Sequence, residues 1–278
     1  MKLPQFYVDD IIKRAITEDI NYLDSTTDYL IDENAKTEAY FVSKDDGVLC
    51  GIEIAMRVFE LLDDKVEYTL HKKDGDTVSK GDLIAEMSGN TAALLKGERT
   101  ALNLLQHMSG IATATNRCVK LVEGTGAAVA ETRKTLPGLR ALQKYAVTVG
   151  GGKNHRYNLS DAAMLKDNHI DACGSIKNAV AAFRSKTGHM IKIEVEVRDF
   201  DELNEALEAG ADVIMLDNMS CEQMTEAVKI IAGRAKTEAS GNITHNNIAE
   251  VAKTGVDVIS LGALTHSVKA FDISMKIK

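Results

Sequence analysis

Four short apolar runs begin at residues 191, 212, 235 and 257, so they recur 21, 23 and 22 residues apart. The stretches 175–186, 199–209 and 219–232, which lie ahead of and between them, carry helical periodicity. Strands returned by helices at so short a period lie parallel in one sheet, open or closed into a barrel. Apolar runs at 127–130 and 162–165 extend the series toward the amino terminus. An internal echo narrows the choice. Gly210-Ala-Asp-Val-Ile-Met-Leu-Asp and Gly255-Val-Asp-Val-Ile-Ser-Leu-Gly agree at Gly, Asp, Val, Ile and Leu, two units apart. Regular short units with such an echo favour a (β/α) barrel over a doubly wound sheet. The dinucleotide fold is further disfavoured because Gly124-Thr-Gly126 precedes a strand and lacks the third glycine.

The first third reads differently. Residues 37–43, 47–50 and 66–72 are short β-branched runs, punctuated by Asp74-Gly75-Asp76 and Lys80-Gly81-Asp82 as hairpin turns. A helical stretch at 96–123 follows, apolar at Leu102, Leu105, Ile111, Val119 and Val122, and the domain boundary falls in or near it. With 278 residues, 45% of them hydrophobic, the chain can bury a barrel-sized core and a smaller one.

Composition removes several function classes. Cys50, Cys118, Cys173 and Cys221 are scattered without a C-x-x-C pair, which suits reduced thiols in a cytoplasmic protein and not a zinc site. Asp9 and Asp10 interrupt the start, so no secretory leader is expected, and no run of 18 apolar residues would span a membrane. A net charge of −8 argues against nucleic acid or an anionic membrane as partner. Yet the segment from Arg133 to His169 holds seven Lys/Arg against two Asp. A basic island on an acidic chain points to a small anionic ligand.

In barrels the chemistry sits at the carboxyl ends of the strands. The residues expected there are Glu131-Thr132-Arg133-Lys134, Lys166, Glu196, Asp217, Glu238 with Ser240-Gly241, and Gly262. Early strands supply cations, Arg133, Lys134, Arg156 and Lys166, with His155 and His169 beside them; an arginine fork grips carboxylates in bidentate fashion. Later strands supply Glu196 and Asp217, suited to ribose hydroxyls or Mg2+ and to a developing cation. The final loops, Ser240-Gly241-Asn242 and Gly262-Ala263, are small and lie where barrels bind phosphate. One mouth therefore offers places for an acid and a sugar phosphate.

The stretches Glu131-Thr-Arg-Lys-Thr-Leu-Pro-Gly-Leu-Arg140, Gly150-Gly-Gly-Lys-Asn-His-Arg156 and Leu165-Lys-Asp-Asn-His169 resemble the quinolinate phosphoribosyltransferase family. Further similar motifs are Glu98-Arg-Thr-Ala-Leu-Asn103, Ser109-Gly-Ile-Ala-Thr113, Glu194-Val-Glu196, Leu216-Asp-Asn218, Glu238-Ala-Ser-Gly241 and Gly262-Ala-Leu-Thr-His-Ser267, in order through most of the chain. The resemblance implies an α/β fold: an α+β sandwich domain at 1–108, then an incomplete seven-stranded (β/α) barrel at 109–278. A carboxyl-terminal helix, about 265–278, is free to pack back on the first domain. It also implies transfer of phosphoribose from phosphoribosyl pyrophosphate to quinolinate, giving nicotinate mononucleotide, pyrophosphate and CO2 in de novo NAD biosynthesis. A homodimer is implied, with Arg99 donated into the neighbour's site.

Position by position, the resemblance implies that Arg99, Arg133, His155, Arg156, Lys166 and His169 grip the quinolinate carboxylates, with Thr132 beside them. Lys134 meets the pyrophosphate, Glu196 and Asp217 face ribose and Mg2+, and Ser240, Gly241, Asn242, Gly262, Ala263 and His266 hold the 5-phosphate. The sequence departs from the family pattern at Leu136, where Thr is frequent, at Asn242, where Gly is common, and at Asn21-Tyr22-Leu23. Other readings use fewer of these residues. Lys166 after an apolar strand would suit a Schiff-base aldolase, which leaves the arginines unexplained. His155, His169, Glu196 and Asp217 would suit a metal hydrolase, without metal-ligand spacing. Residues 73–84 resemble a lipoyl-carrier hairpin, without its lysine. The family's paralogue associated with molybdenum transport is the nearer rival.

Overall fold

The computed structural model describes residues 3–278. In chain order its elements are α1 (Gln5–Ile20), α2 (Thr27–Leu30), β1 (Lys36–Ser43), β2 (Gly47–Val48), α3 (Ile52–Leu62), β3 (Glu67–Leu70), β4 (Thr77–Val78), β5 (Leu83–Asn90) and the 31-residue α4 (Thr91–Leu121). They continue as β6 (Ala128–Ala130), α5 (Arg140–Val149), β7 (Ala163–Leu165), α6 (Asp167–Cys173), α7 (Ile176–Arg184), β8 (Ile193–Val197), α8 (Phe200–Ala209), β9 (Val213–Asp217), α9 (Cys221–Ile231), β10 (Lys236–Ser240), α10 (Ile248–Ala252), β11 (Val258–Ser260), α11 (Ala263–His266) and β12 (Ile273–Ile277).

The chain divides into two units. Among the described residues, the first comprises 3–116, 135–151 and 265–278. Its antiparallel sheet has the order β12-β1-β5-β3, and the short β2-β4 pair forms a second ladder. β1 alternates as an amphipathic strand should, burying Ala39, Phe41 and Ser43 on one face. α3 turns Ile52, Ala55, Met56, Val58 and Phe59 inward. Asp74 Oδ1 caps its start by accepting the N–H groups of Gly51 (2.8 Å) and Ile52 (3.0 Å). Gly97 lets α4 approach α3, since a Cβ there would lie 2.7 Å from the Phe59 ring. The expected carboxyl-terminal helix is absent. Ile273–Ile277 is a strand instead, because Ile273 and Met275 bury one face while the backbone pairs antiparallel with β1.

The second unit comprises residues 117–134 and 152–264. Its parallel sheet has the order β6-β11-β10-β9-β8-β7, so each βα step from β7 onward adds the adjacent strand and β11 returns to β6. Seven strands were expected. Six are formed, and the remaining one is a single parallel bridge from Lys153 to Ala130. The helices begin and end at recognisable residues. Ser175, Asp199 and Ser220 accept the N–H groups of Asn178, Glu202 and Gln223, while Gly174 and Gly210 close α6 and α8 in left-handed conformation.

The echoed aspartates each do the same structural job. Asp212 Oδ2 accepts the Ile193 N–H at 2.8 Å, and Asp257 Oδ2 accepts the Thr237 N–H at 2.8 Å. Each thereby holds the start of the neighbouring strand, β8 beside β9 for Asp212 and β10 beside β11 for Asp257. Among the described residues no helix is long and apolar enough to cross a membrane.

Candidate active site at the carboxyl ends of the parallel strands

Thr132, Arg133, Lys134, His155, Arg156, Lys166, His169, Glu196, Asp217, Ser240, Gly241, Asn242, Gly262 and Ala263 all fall in the parallel-sheet unit, whereas Arg99 and His266 belong to the first. Strand β6 ends at Ala130, and the chain continues into Glu131, which is fully buried, and Arg133, half-buried with a buried Nε that has no acceptor. Lys134 is exposed, and its N–H donates to Thr132 Oγ1 at 3.0 Å. The Arg156 guanidinium donates to the Ala162 carbonyl at 2.9 Å. Burial pulls its pKa below the ordinary arginine value, and the neighbouring Arg133 charge pulls the same way. Two guanidiniums so placed, one with an idle buried donor, are a receptor for an anion.

The acidic side begins at β8. Side chains two apart on a strand share a face, so Glu194 and Glu196 point the same way. Glu196 forms an ion pair with Lys166 Nζ. The Lys166 N–H meets His169 Nδ1 at 3.1 Å, which folds the exposed His169 back over the start of α6. Asp217 ends β9 in register with Ser240 of β10. The Asn218 side-chain amide donates to Asp217 Oδ2 at 2.7 Å, and the Asn242 amide donates in turn to Asn218 Oδ1 at 3.0 Å. Asn218 and Asn242 both adopt positive φ, 54° and 52°, which Asn tolerates better than most residues. They border a recess of about 290 Å³ that also includes Met219, Ser220, Gly241 and Asn247. Gly262 and Ala263 do not line that recess.

The structure adds Glu194, which sequence reasoning did not put in the site, and brings it to His155 together with Glu238. His155 Nε2 lies 3.1 Å from Glu194 Oε2 and 3.4 Å from Glu238 Oε1, both carboxylates being buried. Burial alone would lower the ring's pKa, but the bonds to Glu194 and Glu238 outweigh it and raise it to about 10. Burial pushes the Glu194 carboxyl up, and Glu238 alongside adds to it against the His155 bond. A second proton on the ring would sit on Nδ1, however, where the Arg156 N–H already donates at 2.7 Å. In either form of the ring, Nε2 carries its proton toward the Glu194 carboxylate. The period-two spacing of Glu194-Val-Glu196 could have revealed the lower carboxylate; nothing local pairs it with His155.

Nε2 and one oxygen each of Glu194 and Glu238 lie within 4.8 Å of one another, a spacing fit for a divalent ion. The proton on Nε2 occupies the lone pair that an ion would need. The metal-hydrolase set of His155, His169, Glu196 and Asp217 does not assemble, since His155 turns to Glu194 and Glu238 and Glu196 to Lys166. In the first unit, Gln143 is fully buried and holds the loop after Lys134, its Oε1 accepting the Leu136 N–H at 2.9 Å and its Nε2 donating to the Thr265 carbonyl at 3.0 Å. Leu136 itself is exposed.

Family models described as quinolinate phosphoribosyl transferase, N-terminal domain, and quinolinate phosphoribosyl transferase, C-terminal domain, match residues 24–109 and 111–276. A probable nicotinate-nucleotide pyrophosphorylase (carboxylating) of Bacillus subtilis (strain 168) is 48% identical over 267 residues, covering 96% of this chain and 92% of its own. A chloroplastic nicotinate-nucleotide pyrophosphorylase (carboxylating) of Arabidopsis thaliana is 41% identical over 293 residues, covering 99% and 84%. Among solved structures, NadC from Streptococcus pyogenes superposes with a TM-score of 0.97 at 44% identity, over 100% of this chain and 99% of that one.

Proposed function

The chain belongs to the quinolinate phosphoribosyltransferase family, and we propose that it makes nicotinate mononucleotide, pyrophosphate and CO2 from quinolinate and phosphoribosyl pyrophosphate at the mouth of the parallel sheet. It is a decarboxylating pentosyltransferase of NAD biosynthesis. One observation supports this use of the mouth above others: Arg133 carries a buried, unmatched Nε beside an Arg156 whose charge is already opposed by burial and by Arg133. A dianionic ring relieves both.

Arg133, Arg156 and Lys166 orient the two carboxylates, with His169 at the edge and Thr132 at the strand end. The pyridine nitrogen attacks the anomeric carbon as the bond to pyrophosphate breaks and its electron pair leaves with the pyrophosphate. Glu196 and Asp217 favour the cation-like ribosyl group between them. Lys134, exposed and unburdened by burial, neutralises the departing phosphates. The 5-phosphate sits on the loops at Ser240, Gly241 and Asn242 and at Gly262 and Ala263. The alkylated ring then loses its 2-carboxylate as CO2; the electron pair stays on the ring carbon, stabilised by the positive nitrogen, until a proton replaces it.

Glu196 and Asp217 are hard oxygen donors, the type that holds Mg2+ together with substrate phosphates. When bound there, Mg2+ would neutralise the pyrophosphate charge. Arg99 is exposed on α4, and we assign it to the site of a partner in a homodimer. Phe6, Tyr22, Tyr29 and Leu30 leave the first unit with exposed apolar surface suited to such a partner. The four free cysteines suit the cytoplasm. Lys166 is occupied by Glu196, which weighs against a Schiff-base role.

The test offers quinolinate, nicotinate and nicotinamide in parallel with phosphoribosyl pyrophosphate and Mg2+. Quinolinate should be consumed with CO2 release, and nicotinate should be at least about a hundredfold worse, the penalty for leaving a buried polar partner unmatched. Comparable turnover of nicotinate would sink the assignment.

A further inference from the structure

We infer that Asn218 is a positioning residue for the ribose end of the site, and that Asn242 keeps its amide aimed at Asp217. The inference rests on the assignment of Asp217 to ribose and of the loop after β10 to the 5-phosphate. Its basis is a chain of polar contacts with one workable polarity. An ionised carboxylate accepts and cannot donate, so the Asn218 group that meets Asp217 Oδ2 at 2.7 Å is the amide nitrogen. Asn218 Oδ1 then faces the other way and takes its donor from Asn242 Nδ2 at 3.0 Å. Asp217 thus fixes the orientation of two amides in turn.

The backbone holds both ends of this chain. The Asn218 N–H donates to the Ser240 carbonyl at 3.0 Å, and Asn247 Nδ2 donates to the Asn242 carbonyl at 3.2 Å. Gly241 completes the fit. A Cβ there would lie 2.6 Å from Asn218 Cγ, so the carboxamide occupies the space a side chain would take. Both asparagines are exposed, so water competes for each bond and the contribution to stability is small. What the bonds supply is direction. Holding Oδ2 fixes the rotation of the Asp217 carboxylate, and so the direction in which Oδ1 meets a ribose hydroxyl. Because Asn242 belongs to the phosphate loop, that loop and the ribose carboxylate are tied through one side chain.

A purely conformational account of these residues is that positive φ favours Asn, and both have it. Glycine separates the two accounts, because it accepts the same φ without strain and carries no amide. Asn218→Gly should lower kcat/KM for phosphoribosyl pyrophosphate about tenfold, the scale of one charge-assisted bond. Quinolinate affinity measured by calorimetry should stay within about twofold. Asn242→Gly should lower the same kcat/KM about threefold, since Asn218 loses its guide but keeps its donor. The double variant should match Asn218→Gly within about twofold, because Asn242 acts only through Asn218.

An unchanged kcat/KM in Asn218→Gly overturns the inference and leaves Asn218 a backbone role alone. A double variant lowered about thirtyfold, the product of the single effects, also overturns it, by making Asn242 a direct phosphate contact. So does an equal loss of quinolinate affinity in Asn218→Gly. If thermal melts show that Asn218→Gly does not fold, Asn218→Asp keeps the shape and the acceptor for Asn242 while setting a second carboxylate against Asp217. Its kcat/KM for phosphoribosyl pyrophosphate should be about tenfold down, and an unchanged value overturns the inference. If the unsubstituted enzyme transfers no phosphoribose to quinolinate, the functional assignment fails first, and the two failures are told apart.

Discussion

Replacing Gly241 with alanine probes the join between β9 and the loop after β10. Gly241 has φ of +98°, and a Cβ built on it would lie 2.2 Å from Asn218 Oδ1 and 2.9 Å from the Asn218 backbone nitrogen. The side-chain oxygen can swing aside. The nitrogen cannot move cheaply, because its N–H donates to the Ser240 carbonyl at 3.0 Å and Asn218 already sits at φ 54°. The positive φ alone costs an L-residue about 1–2 kcal/mol, and breaking the Asn218–Ser240 bond adds about 1 kcal/mol. The total of roughly 2–3 kcal/mol should lower Tm by roughly 5–10 °C in a chain of this size.

The displacement falls on Asn218, whose amide holds Asp217, so the damage should be directed. KM for phosphoribosyl pyrophosphate should rise about tenfold or more, the scale of one or two lost hydrogen bonds. Quinolinate binding measured by calorimetry should stay within about twofold, since the Arg133 and Arg156 contacts are not touched. Thermal melts and steady-state kinetics on Gly241→Ala test both parts. An unchanged Tm with an unchanged KM for phosphoribosyl pyrophosphate would refute the reasoning, because the steric conflict would then have been absorbed without moving Asn218.

Arg133→Lys keeps the charge but loses the planar fork, so quinolinate affinity should fall by tenfold or more, about the worth of one charge-assisted bond. Glu196→Gln should spare quinolinate binding and cut turnover; calorimetry showing that binding is abolished would mean the roles are wrongly divided. Arg99→Ala and Lys166→Ala should each be nearly inactive. If Arg99 serves the partner, a mixed dimer has one site with both lesions and one with neither, so free reassortment should restore roughly a quarter of parental activity; no recovery with heterodimers present would return Arg99 to its own subunit or to no site. Asp257 is held below the usual carboxylate range, its bonds from Lys236 and Thr237 outweighing burial. A depressed native pKa stabilises the fold above the ordinary value near ~4 and loses that contribution as pH falls through the lower one. The stability gap between parent and Asp257→Asn in denaturant melts should therefore be present at pH 7 and shrink below about pH 4; a gap that does not change with pH would contradict it.

Much of the second unit was legible in advance. The observed strands begin within two residues of the runs read from apolar spacing, and α7, α8 and α9 within two of the helical stretches. Ser175, Asp199 and Ser220 explain why, since each cap acts through a bond to a residue three positions on, which local sequence encodes. The grouping of cations early and carboxylates late was equally legible, because the period of one strand and one helix sends each strand end to the same side of the sheet. The shared function of Asp212 and Asp257 was not drawn from their echo, although the echo marked them.

By itself, then, the sequence determined the order of strands and helices, which residues end the parallel strands, and the charge each one brings. Those properties depend on neighbours a few positions apart, where side-chain direction and capping operate. Only the tertiary structure decided that Ile273–Ile277 is a strand, because an alternating apolar segment gains nothing until the free edge of β1 offers its backbone groups partners. Only the tertiary structure turned His155 away from His169, Glu196 and Asp217 and toward Glu194 and Glu238. Those carboxylates come from β8 and β10, remote in sequence from His155. No local rule pairs such groups; the parallel sheet does so by burying them together, where each polar atom must find a partner or bear the cost of desolvation.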